Sequence, residues 1–375
     1  MKTALCLPTP TRTVRVGILA AVAAVAIGGL LLFAGPSARA QATCDHTNAS
    51  GTPAELSAGT LCLINSVRAQ AGLPALTSVG ALQLAAQAHG AEMIAQGYLS
   101  TRSPAGVTPG DRADSAGYTG GVLGEVLATG TGAGAYPDSV VAGWQNDAAS
   151  RAVLLLASAR DIGVAVLRGS PSSGAGAANE ATYVVYAGAR PVFGKTAVVS
   201  VVSGTVLVQK PTSSGGVSHP VKLTATTVIP VGSILDATHG KVRLTTAKDR
   251  KGHTQTANFF DGRIAVKQSS TGKAITTLEL RGGNFSGCST SKAGAKKAQA
   301  ARKKRVRRVW GHGKGGYRLA GRNAAGTVLG TWWLTEDRCD GTLIHVKQGT
   351  VVVRDLVTHR TVKVTAGHSY FAKRR

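Results

Sequence analysis

Apolar positions change their spacing along the 375-residue chain, and each spacing predicts a different kind of element. An uninterrupted apolar run from Ile18 to Phe33 comes first. Helical spacing follows. Leu56, Leu61, Ile64 and Val67 fall near one face, and Leu82, Ala86, His89 and Met93 share another. Thr52-Pro53-Ala54-Glu55 offers an N-cap, a proline at the first helical position and a glutamate placed to close a capping box. The helix it opens should stop near Gly72, with Pro74 beyond; the second begins after Ser78, with Gly97 suited to its C-cap. From Thr101 to Tyr136 the chain is rich in Gly, Thr and Pro and reads mostly as loop. A helix from Pro137 through Leu156 and two short strands, Ile162 to Leu167 and Thr182 to Ala187, complete this part. Beyond residue 190 the pattern turns to short β-branched runs bounded by Gly, Pro or Asp: Ala197 to Val202, Thr205 to Val208, Val242 to Thr245, Thr277 to Leu280, Leu343 to Val346, Val351 to Val353 and Thr361 to Val364. In Lys241-Val242-Arg243-Leu244 and Val362-Lys363-Val364 basic residues alternate with apolar ones, so one face should pack a core while the other carries charge. The fold class expected is α+β, a mixed first half (41–190) followed by an all-β second half (191–375).

The N-terminal run has the anatomy of an export signal. Lys2, Arg12 and Arg15 precede it, and Ala38-Arg39-Ala40 follows as a small-x-small cleavage site, giving a signal peptide over 1–40 and a secreted chain starting at Gln41. The run is a little short for a spanning helix of roughly twenty residues. Val16 to Ala34 could stretch to fit, so the alternative is a retained N-terminal anchor. Removing the signal takes Cys6 with it and leaves Cys44, Cys62, Cys288 and Cys339, which in an oxidising compartment predict two disulfides. Three connectivities are open; Cys44 with Cys62 and Cys288 with Cys339 is preferred because each pair stays within one half.

Charge divides the chain at the same place. Residues 41–190 hold seven Lys/Arg against ten Asp/Glu, a net of −3, whereas residues 191–375 hold thirty-two against eight, a net of +24. Nearly all of the formal +25 therefore lies in the second half, and such a field favours polyanions. Outside a cell these are anionic wall polymers such as teichoic acids, acidic glycans, anionic lipid headgroups, and nucleic acid bound without sequence specificity. The densest block, 291–308, has nine Lys/Arg and no acid. It reads as an insertion that is either a solvated loop or a polyanion-binding arm built from Lys296, Lys297, Arg302, Lys303, Lys304, Arg305, Arg307 and Arg308. Trp310, Tyr317, Trp332 and Trp333 could stack on bases or sugars, or cover the β core.

A series of short words gives the first half a family likeness: Cys62-Leu63-Ile64-Asn65-Ser66-Val67-Arg68-Ala69-Gln70-Ala71-Gly72-Leu73-Pro74, Ala88-His89 with Met93, Ser103-Pro104, Asp111-Arg112-Ala113, Gly124-Glu125, Trp144, Arg151-Ala152 and Asp161-Ile162-Gly163-Val164. In that order they resemble the CAP superfamily of cysteine-rich secretory, antigen-5 and pathogenesis-related proteins, in its short bacterial form. The resemblance implies an α-β-α sandwich around a cleft. In the family a histidine before the Ser-Pro, the glutamate of a Gly-Glu-Asn and a histidine before the Arg-Ala can together hold a divalent metal. Here the first position is Arg102, or Thr101 if the loop is aligned one residue shorter, and the last is Ser150; only Glu125 is kept. A lone carboxylate is a poor zinc site, so no metal and no cofactor are expected. The candidate ligand-binding residues of the cleft are Glu125, read as standing in a loop at its border, and His89, whose helical spacing also suits a buried structural role. The cleft's occupant would be a lipid or a glycan. Trp144 is assigned to the core.

The second half is similar to the FecR-like extracytoplasmic β-domain. Ile229-Pro230-Val231-Gly232-Ser233 with Asp236-Ala237 and Gly240, Gly330-Thr331-Trp332-Trp333, Val346 with Gly349-Thr350-Val351-Val352-Val353, and Val364-Thr365-Ala366-Gly367 carry the likeness over roughly residues 200–370. No cytoplasmic anti-sigma segment accompanies it, so a sensor's signalling role is not expected to transfer.

Signals for catalysis are weak. Gly311-His312-Gly313-Lys314-Gly315-Gly316 contains GxGxxG, but it follows Arg307-Arg308-Val309-Trp310 rather than a long apolar strand, and no helical pattern comes after it. Walker A, HExxH and GxSxG motifs do not occur, and Ser218-His219 lies in a loop-like stretch. The reading is a secreted, monomeric, non-enzymatic binding protein held to the cell envelope by its basic half, with no catalytic residue assigned. The alternatives are a CAP-type hydrolase using Glu125 and a membrane-anchored FecR-like sensor.

Overall fold

The computed structural model describes residues 43–47, 51–271, 275–288 and 304–375; the signal read over 1–40 lies outside them. Residues 42–375 form one compact unit. Its first part holds five α-helices: α1 (Pro53–Gln70), α2 (Gly80–Gln96), α3 (Pro109–Ser115), α4 (Pro137–Asn146) and α5 (Ala148–Leu154). They enclose a sheet of β1 (Thr77–Ser78), β2 (Gly121–Thr131), β3 (Asp161–Ser170), β4 (Gly174–Ala175) and β5 (Glu180–Ala189), in the order β1-β3-β5-β2 with β4 beside β3. The central strands are buried on both faces. Tyr183, Val185 and Ala187 of β5 pack towards Leu56, Ile64 and Trp144 of α1 and α4, while Val184 and Tyr186 pack towards Leu82 and Met93 of α2. That is an α-β-α sandwich.

Local chemistry sets these elements. Thr52 and Glu55 form the expected capping box, and Gly97 ends α2 in the left-handed region. Gly163 is required by close packing, because a Cβ there would lie 2.3 Å from the backbone carbon of Leu82 on α2. Two expectations are corrected. The stretch from Thr101 to Tyr136 is not mostly loop: it contains α3, opened by a second capping box of Thr108 and Asp111, and the eleven-residue β2. The helix expected through Leu156 breaks at Asp147, whose extended backbone and side-chain bond to the Ser150 amide start α5 afresh.

The second part is all β. Its strands are β6 (Thr196–Gln209), β7 (Val221–Lys222), β8 (Thr227–Pro230), β9 (Ile234–Ala247), β10 (Thr254–Phe260), β11 (Arg263–Gln268) and β12 (Thr276–Arg281). They continue as β13 (Arg305–Ala320), β14 (Ala324–Arg338), β15 (Gly341–Gln348), β16 (Thr350–Asp355), β17 (Thr361–Thr365) and β18 (Ser369–Lys373). The runs read as separate strands at 197–202 and 205–208 are one strand with two register shifts. Long strands change partners midway. β9 pairs β11 at Ile234–Asp236 and β10 at Lys241–Ala247, and β13 pairs β10 at Trp310–Lys314 and β12 at Tyr317–Ala320. With β11 paired to β12, these ladders close a circuit β9-β10-β13-β12-β11 around Phe259, Tyr317, Val242 and Leu278.

The GxGxxG word falls inside β13, where its glycines give close approach between layers. A Cβ on Gly311 would lie 2.6 Å from the Trp333 ring, and one on Gly313 2.6 Å from Ala257. The basic insertion also has a different boundary from the one expected. Arg305, Arg307 and Arg308 are not arm residues but belong to the first stretch of β13, registered against Arg338, Asp337 and Glu336. Lys304 stands just before the strand, and Lys296, Lys297, Arg302 and Lys303 lie outside the described residues. Both disulfides take the preferred pairing, Cys44–Cys62 and Cys288–Cys339.

Candidate functional site

Glu125 stands on β2 rather than in a loop, and β2 places it opposite Tyr186 of β5 and beneath α2. There its Oε1 meets His89 Nδ1 at 2.7 Å, with the two side chains 1% and 0% exposed. A carboxylate can only accept, so this bond puts the imidazole proton on Nδ1. Around the pair sit Glu92 of α2, Tyr98, Arg112 of α3 and Tyr186. Arg112 donates to the Thr101 carbonyl and approaches Glu92 at 3.6 Å. Burial first, and then the charge of Glu125, raises the pKa of the Tyr186 phenol; burial first, and then the nearby Glu92, raises that of Tyr98. His89 Nε2, Glu125 Oε2 and the Tyr186 hydroxyl have no hydrogen-bond partner. The cluster is thus a buried polar knot with unused bonding capacity.

Such a pair has the parts of a general base and its orienting partner, but a base must be within reach of its substrate's proton. Almost no surface of either side chain is open. The donor set does not suit a metal either. Arg102 is committed to the Gly106 carbonyl, and the Ser150 amide to Asp147; among the described residues no group of three His, Cys, Asp or Glu side chains is placed to hold an ion. The metal that the family likeness implies does not fit these residues.

Accessible space lies next to the pair, between the two parts of the unit. A cleft of about 530 Å³ is bordered by Arg102 and Asp111 of the first part, by Leu123 and Gly124 immediately before Glu125, and by Val201 and Arg243 of the second. Arg243 pairs with Asp114 across the junction, and the Thr254 hydroxyl donates to the Thr119 carbonyl at 2.7 Å. Gly121 permits the contact, since a Cβ there would lie 2.4 Å from Val198 of β6. Arg102, Thr108, Asp111, Ser200, Thr226 and Arg243 stand among the apolar residues of its walls, so the cleft is mixed in character, and both arginines already have a partner in the fold. Sequence reasoning found His89 and Glu125 but not their bond, and it missed Arg243, which reaches the cleft only through the packing of β9 against α3.

Several of the family words prove to be scaffold. Asn65 exchanges two hydrogen bonds with the backbone of Leu76, and the fully buried Arg68 donates to the carbonyls of Pro74, Leu154 and Leu156. Asp161 accepts from Tyr118 and, bidentately, from Arg190, where the first part of the chain hands over to the second. Trp144 is core, donating to the Leu127 carbonyl.

Residues 61–186 match the family model described as "CAP: Cysteine-rich secretory protein family". No curated protein matches the chain. Among solved structures it is similar to an outer surface protein from Borrelia burgdorferi, at 21% identity over 35% of this chain and 89% of that one, with a TM-score of 0.30. It is also similar to an extracellular SCP-domain protein from Bacillus anthracis, at 23% identity and a TM-score of 0.27 over 36% of this chain; the match spans 44% of that protein.

Proposed function

We propose, taking residues 61–186 as a CAP-type domain, that the chain is a secreted, monomeric, non-enzymatic binding protein held to anionic cell-envelope polymers by its β part. The observation that carries this reading is the segregation of charge: −3 over 41–190 and +24 over 191–375. The acids of the second half are largely consumed locally. Asp236, Asp261, Glu279, Glu336 and Asp337 each pair with a lysine or arginine of the same half, so few acids remain there to offset the other cations. Teichoic acids and acidic glycans are the partners that chemistry favours, and nucleic acid would bind by charge alone. The shared cleft, a recess of mixed polar and apolar lining bordered by Arg102 and Arg243, would take the lipid or glycan ligand. Two disulfides fit an extracellular setting. The FecR-like likeness of residues 191–375 enters as a fold expectation compatible with the all-β second part, without the sensor's role.

The test is binding of purified 41–375 to isolated cell walls, teichoic acid and DNA across a salt series. Affinity for the wall polymers should fall steeply with salt, and the double variant Arg102→Ala/Arg243→Ala should keep this binding while losing any cleft ligand. Salt-independent binding, or none, overturns the reading. A hydrolase acting through Glu125 would require the bond to His89 to open; turnover of peptides, esters or wall fragments that disappears in Glu125→Gln would establish it. Protein confined to the membrane fraction with residues 1–40 attached would favour an anchored sensor.

A further inference from the structure

Two aromatic dipeptides in the β part each send one ring inward and one outward, as neighbours on a strand must. Phe259 and Trp333 are fully buried and pack edge to face at 6.2 Å. Their neighbours Phe260 and Trp332 lie half-buried on the opposite face, where Trp310 joins them. The Phe260 and Trp310 rings are parallel, within 9° at 6.4 Å, and Trp310 meets Trp332 at 6.3 Å. These three rings lie outside the core cluster that holds Phe259, Tyr317 and Trp333.

Cations frame the row. Lys347 Nζ sits 3.6 Å from the centre of the Trp332 ring, Lys241 Nζ lies 5.1 Å from that of Phe260, and His312 tilts over Trp332 at 5.3 Å. Trp332 Nε1 has no acceptor. The row is also continuous with a recess of about 460 Å³ at the junction of the two parts, which His312, Asn258 and Arg243 line.

We infer that Lys241, Phe260, Trp310, His312, Trp332 and Lys347 form a binding platform for an acidic polysaccharide, the rings stacking on the apolar faces of successive sugars and the lysines pairing with their anionic groups. This rests on the polyanion reading above and specifies it: a wall polymer is recognised by sugar faces and not by charge alone. Charge complementarity selects the occupant, because Lys241 and Lys347 rest against the rings of the row and have no acidic partner among the described residues, so anionic groups on the glycan would supply one.

The experiment uses full-length 41–375 with its disulfides intact and oligogalacturonate as the acidic glycan, followed by tryptophan emission and calorimetry. A neutral malto-oligosaccharide, polyphosphate and poly(dT) serve as comparisons. Binding of oligogalacturonate should change the emission and exceed that of the neutral sugar. Trp332→Ala and Trp310→Ala should each weaken it about tenfold or more. Lys347→Ala, an exposed change that leaves the sheet intact, should weaken it several-fold, and Trp332→Phe should retain most of it. If both tryptophan variants, melting like the parent, bind with unchanged affinity while salt still abolishes binding, charge anchoring stands and the platform falls. If poly(dT) binds more tightly than the glycan and loses affinity in the tryptophan variants, the ligand class is wrong. If no polyanion binds, both readings fail together.

Discussion

The bond between His89 and Glu125 joins an element that the sequence made visible to one that it concealed. His89 was legible, because its spacing with Leu82, Ala86 and Met93 placed it on the buried face of α2, where it lies. Glu125 was not, since Gly120, Gly121 and Gly124 around it look like a loop. The last two are there for packing: a Cβ on Gly124 would meet Val153 at 2.8 Å, and Gly121 admits Val198. Removing one member of the buried pair strands the other. His89→Ala should therefore destabilise the fold by about 3 kcal/mol, seen as a fall in Tm of about 4 °C for a unit of this size, with Glu125→Gln milder because an amide can still accept from Nδ1. Tyrosine ionisation gives a second residue-level expectation. Burial, with Asp161 adding to it at Tyr118, raises the phenol pKa of Tyr118, Tyr183, Tyr186 and Tyr317. The unfolded chain ionises its phenols near pH 10, so their contribution is complete below that pH and is lost as the pH rises above it. Melting temperature between pH 8 and 11.5 should hold and then fall, with the phenolate absorbance of these four appearing only on unfolding.

At the scale of elements, a signal was readable wherever caps or periodicity acted alone. Thr108-Pro109-Gly110-Asp111 has the same form as Thr52-Pro53-Ala54-Glu55 and could have announced α3. Asn146-Asp147 marks the break between α4 and α5, where a cap competes with helix continuation. Strands that bend from one partner to another were harder. In β13 the run Gly311 to Gly316 erases the alternation on which strand reading depends, and its reason, the nearby Trp333 and Ala257, is distant in sequence. Gly311→Ala should push on the buried Trp333 ring and destabilise the β part by about 1–3 kcal/mol; equilibrium unfolding would register it, and an unchanged midpoint would contradict the packing described.

For the whole molecule, composition carried most of the legible content: the charge boundary near residue 190 separates a helix-rich part from an all-β part. What it could not convey was the junction itself, made by Arg243 with Asp114, by Arg190 with Asp161 and by glycines that let Val198 approach. The Cys288–Cys339 bond adds a consequence for durability. β12 ends at Arg281, Gly283 lies against Val306, and the Cys339 amide donates to the Lys304 carbonyl, so the chain leaves the sheet beside the place where β13 begins. A trypsin-like cut after any basic residue from Lys292 to Lys303 would leave Cys288 on one fragment and Cys339 on the other. The nicked protein should run as a single species on a non-reducing gel and as two after reduction. A chain clipped there outside the cell would remain one covalent molecule with its β ladders in place.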